Sequence, residues 1–95
     1  MHIIVYSEDK EDSLEIRTAN RTAHLAWLKS DDTIHVKVAG PWLDDTGTMR
    51  GSLLIVEAAS VEVVKNWLSH DPYGQAGLTQ KTIVKAYNWV IGAPS

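Results

Sequence analysis

The chain contains no cysteine, which excludes a disulfide framework, a thiolate nucleophile and any cysteine-ligated metal. It has no surplus of positive charge either: twelve acidic residues against nine basic ones leave a net charge of -3. Non-specific nucleic-acid binding draws on clustered Lys and Arg, and the basic residues here are scattered, so no nucleic-acid partner is expected. No stretch approaches the roughly 18 apolar residues that a spanning helix needs. Met1 to Ser7 also lacks a basic start followed by a long apolar core. The expectation is an unexported, cytoplasmic chain with no membrane partner. Short catalytic and metal motifs are missing as well. No serine sits in a Gly-x-Ser-x-Gly context. Gly47 to Ser52 has no phosphate-loop lysine and precedes a strand, and His2, His35 and His70 form no His-x-x-x-His pair, so no metal is expected.

What is present suits one small domain over residues 1–95: 44% of the 95 residues are hydrophobic, enough for a single core. His2 to Ser7 reads as a strand rich in Ile, Val and Tyr, and Leu14 to Lys29 as a helix free of Gly and Pro, capped by Asp12 or Ser13. Ile34, Val36 and Val38 alternate with polar or small residues as a strand that Gly40-Pro41 ends. A loop over Trp42 to Gly51 precedes a third strand, Ser52 to Ala59. Ser60 caps a second helix that Pro72 stops. A turn at Gly74 to Gly77 leads to the last strand, Thr79 to Ile91, and a Gly-Ala-Pro-Ser tail. Strand, helix, strand, strand, helix, strand is the split βαβ order, an α+β ferredoxin-like fold with a four-stranded antiparallel sheet. Two helices cover one face of such a sheet, yet both phases of the strands are apolar, Ile3 and Val5 against Ile4 and Tyr6, for example. A homodimer packed through the bare sheet faces follows.

The first helix carries an anomaly. At about 100° per residue, Leu14, Leu25 and Leu28 fall within about 60° of one another, with Arg21 between them and His24 and Arg17 flanking. A cation on a core-facing stripe needs a partner or a ligand, and Asp71-Pro72-Tyr73, where the second helix stops, offers a carboxylate. A competing arc, Ile16, Ala19, Ala23, Ala26 and Trp27, would turn His24 and Arg21 outward. The leucine stripe is preferred because its larger side chains bury more area, about 0.8 kcal/mol per methylene.

Leu14, Arg17, Arg21, Ala23-His24-Leu25 and Leu28, then Ala39-Gly40-Pro41, Gly51-Ser52, Glu57, Ser60, Asp71-Pro72-Tyr73 and Gly77-Leu78, together resemble the YciI-like (YCII-related) family over nearly the whole chain. The resemblance implies a ferredoxin-like fold of the dimeric α+β-barrel superfamily. It also implies a site built on a histidine and an aspartate, which correspond here to His24 and Asp71, and a relative that is a dehydrochlorinase of a chlorinated hydroxyquinol. The Gly40 to Gly51 loop, with Trp42, Asp44-Asp45 and Met49, departs from the family pattern. On this reading the chain is a small lyase or isomerase that transfers a proton on, or dehydrochlorinates, a small cyclic or aromatic-derived substrate. His24 is general base or acid and Asp71 its orienter. Arg21 binds an anionic substrate through its planar fork of donors. The alternative for Arg21 is an ion pair with Glu57 or another acid, and for Arg17, which would otherwise assist it, that pairing is preferred. Trp42 and Tyr73 are candidates for an apolar pocket wall, with packing the preferred role for Tyr73. No cofactor is required. The alternative is a non-catalytic ligand-binding or assembly module with a structural polar cluster.

Overall fold

A computed structural model describes residues 1–94; Ser95, the end of the tail, lies outside the described residues. The elements run β1 (His2–Asp9), α1 (Leu14–Trp27), β2 (His35–Leu43), β3 (Met49–Glu57), α2 (Val61–Leu68), α3 (Pro72–Gln75) and β4 (Thr79–Tyr87). The four strands form one antiparallel sheet in the order β2-β3-β1-β4, the ferredoxin-like arrangement. The sheet is open. Its edges, β2 and β4, lie at opposite ends of the order and do not pair with each other, so the barrel implied by the resemblance is not formed. Four strands are too few to close around a core, which takes about eight in small barrels.

Strand alternation decides which side chains meet the helices. Ile3 and Val5 of β1 lie opposite Val56 and Leu54 of β3, and all four are buried with Trp27 at the end of the first helix, Leu28 just beyond it, and Val64 and Trp67 of the second. Trp27 and Trp67 stack at 4.1 Å between ring centroids. Among the described residues neither indole N–H has an acceptor, a cost of about 1–3 kcal/mol each that the burial of the rings must offset.

Several boundaries differ from expectation for identifiable reasons. β2 runs through Gly40-Pro41 instead of ending there, because it is an edge strand and the missing proline N–H removes no ladder bond. The expected loop from Trp42 is mostly hairpin. Asp44 accepts bonds from the Thr46 N–H and hydroxyl and the Thr48 N–H, takes the Arg50 Nε–H at 2.8 Å, and Gly47 supplies φ +83°. The Arg50 guanidinium holds the Asp44 carboxyl well below the usual carboxylate range. Pro72 does not stop the second helix, which ends at Leu68, but opens the one-turn α3, where its lost N–H costs nothing. β4 ends at Tyr87, not Ile91. Ser60 caps α2 as expected, accepting the Val63 N–H.

Neither arc of α1 is the buried one. Leu14 and Leu25 are 42% and 45% exposed, whereas Arg17, His24, Trp27 and Leu28 are buried. The inner face is centred on His24, about 80–100° from Leu14 and Leu25, and of the expected leucines it keeps only Leu28, about 40° away. Arg21, expected to point inward, is exposed. The cation in the interior is Arg17. Area alone favoured the leucines, but the paired charges on β1 and α3 supply partners that make burying Arg17 and His24 tolerable.

Candidate active site

Asp71-Pro72-Tyr73 builds one side of the site. A residue before proline is pushed to extended backbone, and Asp71 sits there at φ -63°, ψ 122°, its Oδ1 capping α3 by accepting the Tyr73 N–H at 3.0 Å. The same Oδ1 lies 2.8 Å from His24 Nδ1. A carboxylate can only accept, so opposite one Nδ1 carries the proton, and in a neutral imidazole Nε2 then holds the lone pair. Two residues along, the Tyr73 ring stacks on the His24 ring at 3.9 Å and 12°. One tripeptide thus holds the imidazole in its plane by a hydrogen bond and across its face by a ring. His24 is 6% exposed, and α1 packs directly on α3.

The second charged pair was not foreseen in its details. Arg17, two turns before His24 on the same helix face, donates Nε–H to Asp9 Oδ2 at 2.7 Å and Nη2–H to Asp9 Oδ1 at 3.0 Å. Its acid partner is therefore Asp9 and not Glu57, which is exposed and lies 3.6 Å from His2. Both side chains are buried, at 4% and 5% exposure. Arg17 Nη2 also donates to the Ser52 hydroxyl oxygen at 2.8 Å, and its guanidinium carbon lies 4.8 Å from the centre of the Tyr73 ring. Burial pushes the Tyr73 phenol above its ordinary value, with Arg17 and Arg21 pulling partly the other way. At neutral pH the phenol stays protonated and can act as a donor.

Two adjoining cavities meet at these residues. The larger, about 350 Å³, is bounded by α1, β2 and β3, with His24, Arg17, Arg21, Ser52 and Tyr73 among polar walls and Leu25, Leu28, Pro41 and Leu54 among apolar ones. An apolar cavity of about 150 Å³ holds benzene, so a substituted single ring fits. The smaller, about 90 Å³, lies behind the His24–Asp71 bond. No acidic side chain lines the larger cavity. Arg21, at its edge, makes no ion pair among the described residues.

Of the expected site residues, His24, Asp71, Arg17, Arg21 and Tyr73 come together. Trp42 does not. It stacks on Tyr6 at 5.7 Å and donates its indole N–H to the Ser7 carbonyl at 2.8 Å. Its register partner Gly51 shares the phase of Leu53 and Ile55, the face turned away from the helices, so it walls no part of the His24 cavity. Asp9 and Ser52 were missed. Their signal was phase: Ser52 alternates with Leu54 and Val56, and Asp9 with Ile3 and Val5, so both polar groups fall on the buried face. Among the described residues, no group of three or more His, Asp or Glu is placed to hold a metal ion, and no helix is long and apolar enough to cross a membrane.

Residues 1–88 match the model of the YCII-related domain. The chain is 37% identical over 97 aligned positions to the protein YciI of Escherichia coli, covering 95% of this chain and 99% of that one. It is 30% identical, with the same coverage, to an uncharacterized protein of Haemophilus influenzae. Among solved structures, it superposes with a TM-score of 0.82 at 36% identity on the 5-chloro-2-hydroxyhydroquinone dehydrochlorinase of Burkholderia phenoliruptrix AC1100, in complex with 2,5-dihydroxybenzoquinone, covering 93% of this chain and 94% of that one. With the family model matched over residues 1–88 and relatives aligned over 99% of their own length, the chain belongs to the YCII-related family.

Proposed function

We propose that the cavity beside His24 is the active site of a small lyase or isomerase that moves a proton on a ring-bearing or enolic substrate through the His24–Asp71 pair. One observation carries this reading: His24 Nδ1 lies 2.8 Å from Asp71 Oδ1, and donating Nδ1–H to that carboxylate leaves Nε2 as the basic atom of a histidine that lines a ring-sized cavity. A neutral imidazole with its tautomer set by a carboxylate is the side chain best matched to proton transfer near neutrality. Nε2 takes a proton from the substrate, and Asp71 stabilises the imidazolium. In an elimination, the electron pair left behind forms a new double bond and the leaving group departs as an anion. In an isomerisation, the imidazolium returns the proton to a different carbon. Arg21, free of any acid partner, binds the negative charge on the substrate or intermediate. The similar dehydrochlorinase acts on a chlorinated hydroxyquinol and holds a dihydroxyquinone, which supports a small oxygenated ring as substrate here. A single domain over residues 1–95 fits a site drawn from β1, α1, β3 and α3 together.

The test is turnover of chlorinated hydroxyquinols and related enolic rings. His24→Gln is expected to lower kcat by about 10²- to 10⁴-fold, the usual contribution of a general base, and Asp71→Asn by a smaller factor. Unchanged turnover in His24→Gln overturns the reading. A variant that loses only ligand affinity favours a binding module instead.

We further infer that the sheet face away from the helices is covered by a second copy of the chain. Ile4, Tyr6, Leu53, Ile55 and Ile83 share that face in register. Val38 and Tyr87 on it are more than a third exposed. Glu8 opposite Lys81 and Lys85 and Glu57 towards the other end surround this apolar centre with both signs of charge, a self-complementary rim for a two-fold contact.

A further inference from the structure

We propose that the Ser52 hydroxyl is an oxyanion donor of the larger cavity and that, with Arg21, it selects a planar ligand carrying one deprotonated ring or enol oxygen. The proposal deepens the active-site reading and rests on it. Ser52 borders both cavities and is 9% exposed. Its oxygen accepts the Arg17 Nη2–H at 2.8 Å. A guanidinium has no lone pair to accept with, so Arg17 uses the acceptor side of the hydroxyl and leaves its proton to be donated elsewhere. Among the described residues the Ser52 proton has no acceptor. An O–H left unpaired in so buried a position costs about 1–3 kcal/mol, and a ligand oxygen in the cavity removes that cost.

The neighbours make this donor stronger and hold it still. Asp9 holds one edge of the Arg17 guanidinium, through Nε and Nη2, so that edge is not free to swing onto a ligand. The second Nη2–H fixes the Ser52 oxygen, and a cationic donor on that oxygen polarises the O–H bond. The charge balance sets the ligand. Asp9 compensates Arg17, Asp71 compensates the His24 imidazolium that forms on proton transfer, and no acid lines the cavity. Arg21 is left as the single uncompensated charge, which suits a ligand with one negative charge. A carboxylate on a flexible chain would leave the apolar walls at Leu25, Leu28 and Leu54 unfilled, whereas a ring bearing its own oxyanion meets both.

The test compares 4-nitrophenol with 4-nitroanisole, its uncharged methyl ether, at a pH where the phenol is ionised, by calorimetry and by the visible absorption of the bound phenolate. Wild-type protein is expected to bind the phenolate at least about tenfold more tightly than the ether. Ser52→Ala should weaken the phenolate by about ten- to a hundredfold, the range for hydrogen bonds to charged groups, shift its visible band towards that of the free anion, and leave the ether unchanged. Ser52→Thr, which keeps the hydroxyl, should restore both. Arg21→Gln should weaken the phenolate selectively as well. Equal loss of both ligands in Ser52→Ala marks a merely structural role and overturns the proposal, as does no loss, or a wild-type protein that does not prefer the anion. His24-dependent turnover without anion preference sinks the Ser52 assignment alone. Ser52-dependent anion binding without His24-dependent turnover sinks the catalytic reading alone.

Discussion

Arg17 and Asp9 bury a full charge pair under 5% or less exposure each, and what such a pair contributes depends on which half is removed. Taking away one partner strands the other charge, a cost of about 3–5 kcal/mol, whereas replacing both with apolar residues of similar size is often neutral. Asp9→Ala is therefore expected to lower unfolding stability by about 3–5 kcal/mol in a urea titration, while Asp9→Leu combined with Arg17→Met recovers most of the loss. A double variant as unstable as the single one would show that the pair does more than cancel charge. The His24 ring is held differently, by a hydrogen bond to Asp71 and a stack on Tyr73. Histidine and aspartate stand 47 positions apart. Their residue types, and the proline that presents Asp71, are legible in the chain. The sequence does not reveal that Asp9 is the acid for Arg17, because several acids were available and only spatial approach distinguishes Asp9 from Glu57.

At the scale of elements, the β2–β3 hairpin depends on Gly51. A Cβ built there would lie 2.0 Å from the Ser7 carbonyl oxygen and 2.1 Å from Trp42 Nε1, because the Trp42 ring crosses directly over that position to reach the Ser7 carbonyl. Gly51→Ala must displace either backbone or the indole. The expected result is a loss of about 1–3 kcal/mol, read as a lower thermal midpoint with the Trp42 fluorescence shifted towards that of a solvated indole. A midpoint equal to wild type would mean that Trp42 does not occupy this position in solution. The same contact explains why Trp42 was misassigned: as an aromatic in a loop that departs from its family, it resembled a pocket wall, but strand register turns it to the opposite face. Element types were readable from periodicity and caps, as Ser60 and α2 show. Ends were less so, because Gly40-Pro41 breaks a central strand but not an edge one.

For the whole molecule, the ferredoxin-like order of the sheet places its apolar outer face in solvent, and a second copy is the occupant inferred for it. Light scattering at micromolar concentration should return twice the chain mass of 10.5 kDa. Leu53→Lys, at the centre of that face, should return the single mass with the His24 site still able to bind phenolate. A monomeric wild type overturns the dimer and leaves the proton-transfer reading intact, since every residue of the site described here comes from one chain.

The sequence alone determined the element types, the α+β class, the family resemblance and the candidate pair His24 and Asp71. Each of these is written in local periodicity, in caps and turns, or in residue types that recur in order. The tertiary structure decided that the sheet stays open, that α1 buries Arg17 and His24 in place of Leu14 and Leu25, that Asp9 and Ser52 join the site and that Trp42 leaves it. Helical periodicity ranks faces by apolar area, but a face also becomes buriable when distant strands supply partners for its charges. That compensation exists only after β1, β3 and α3 have been brought against α1.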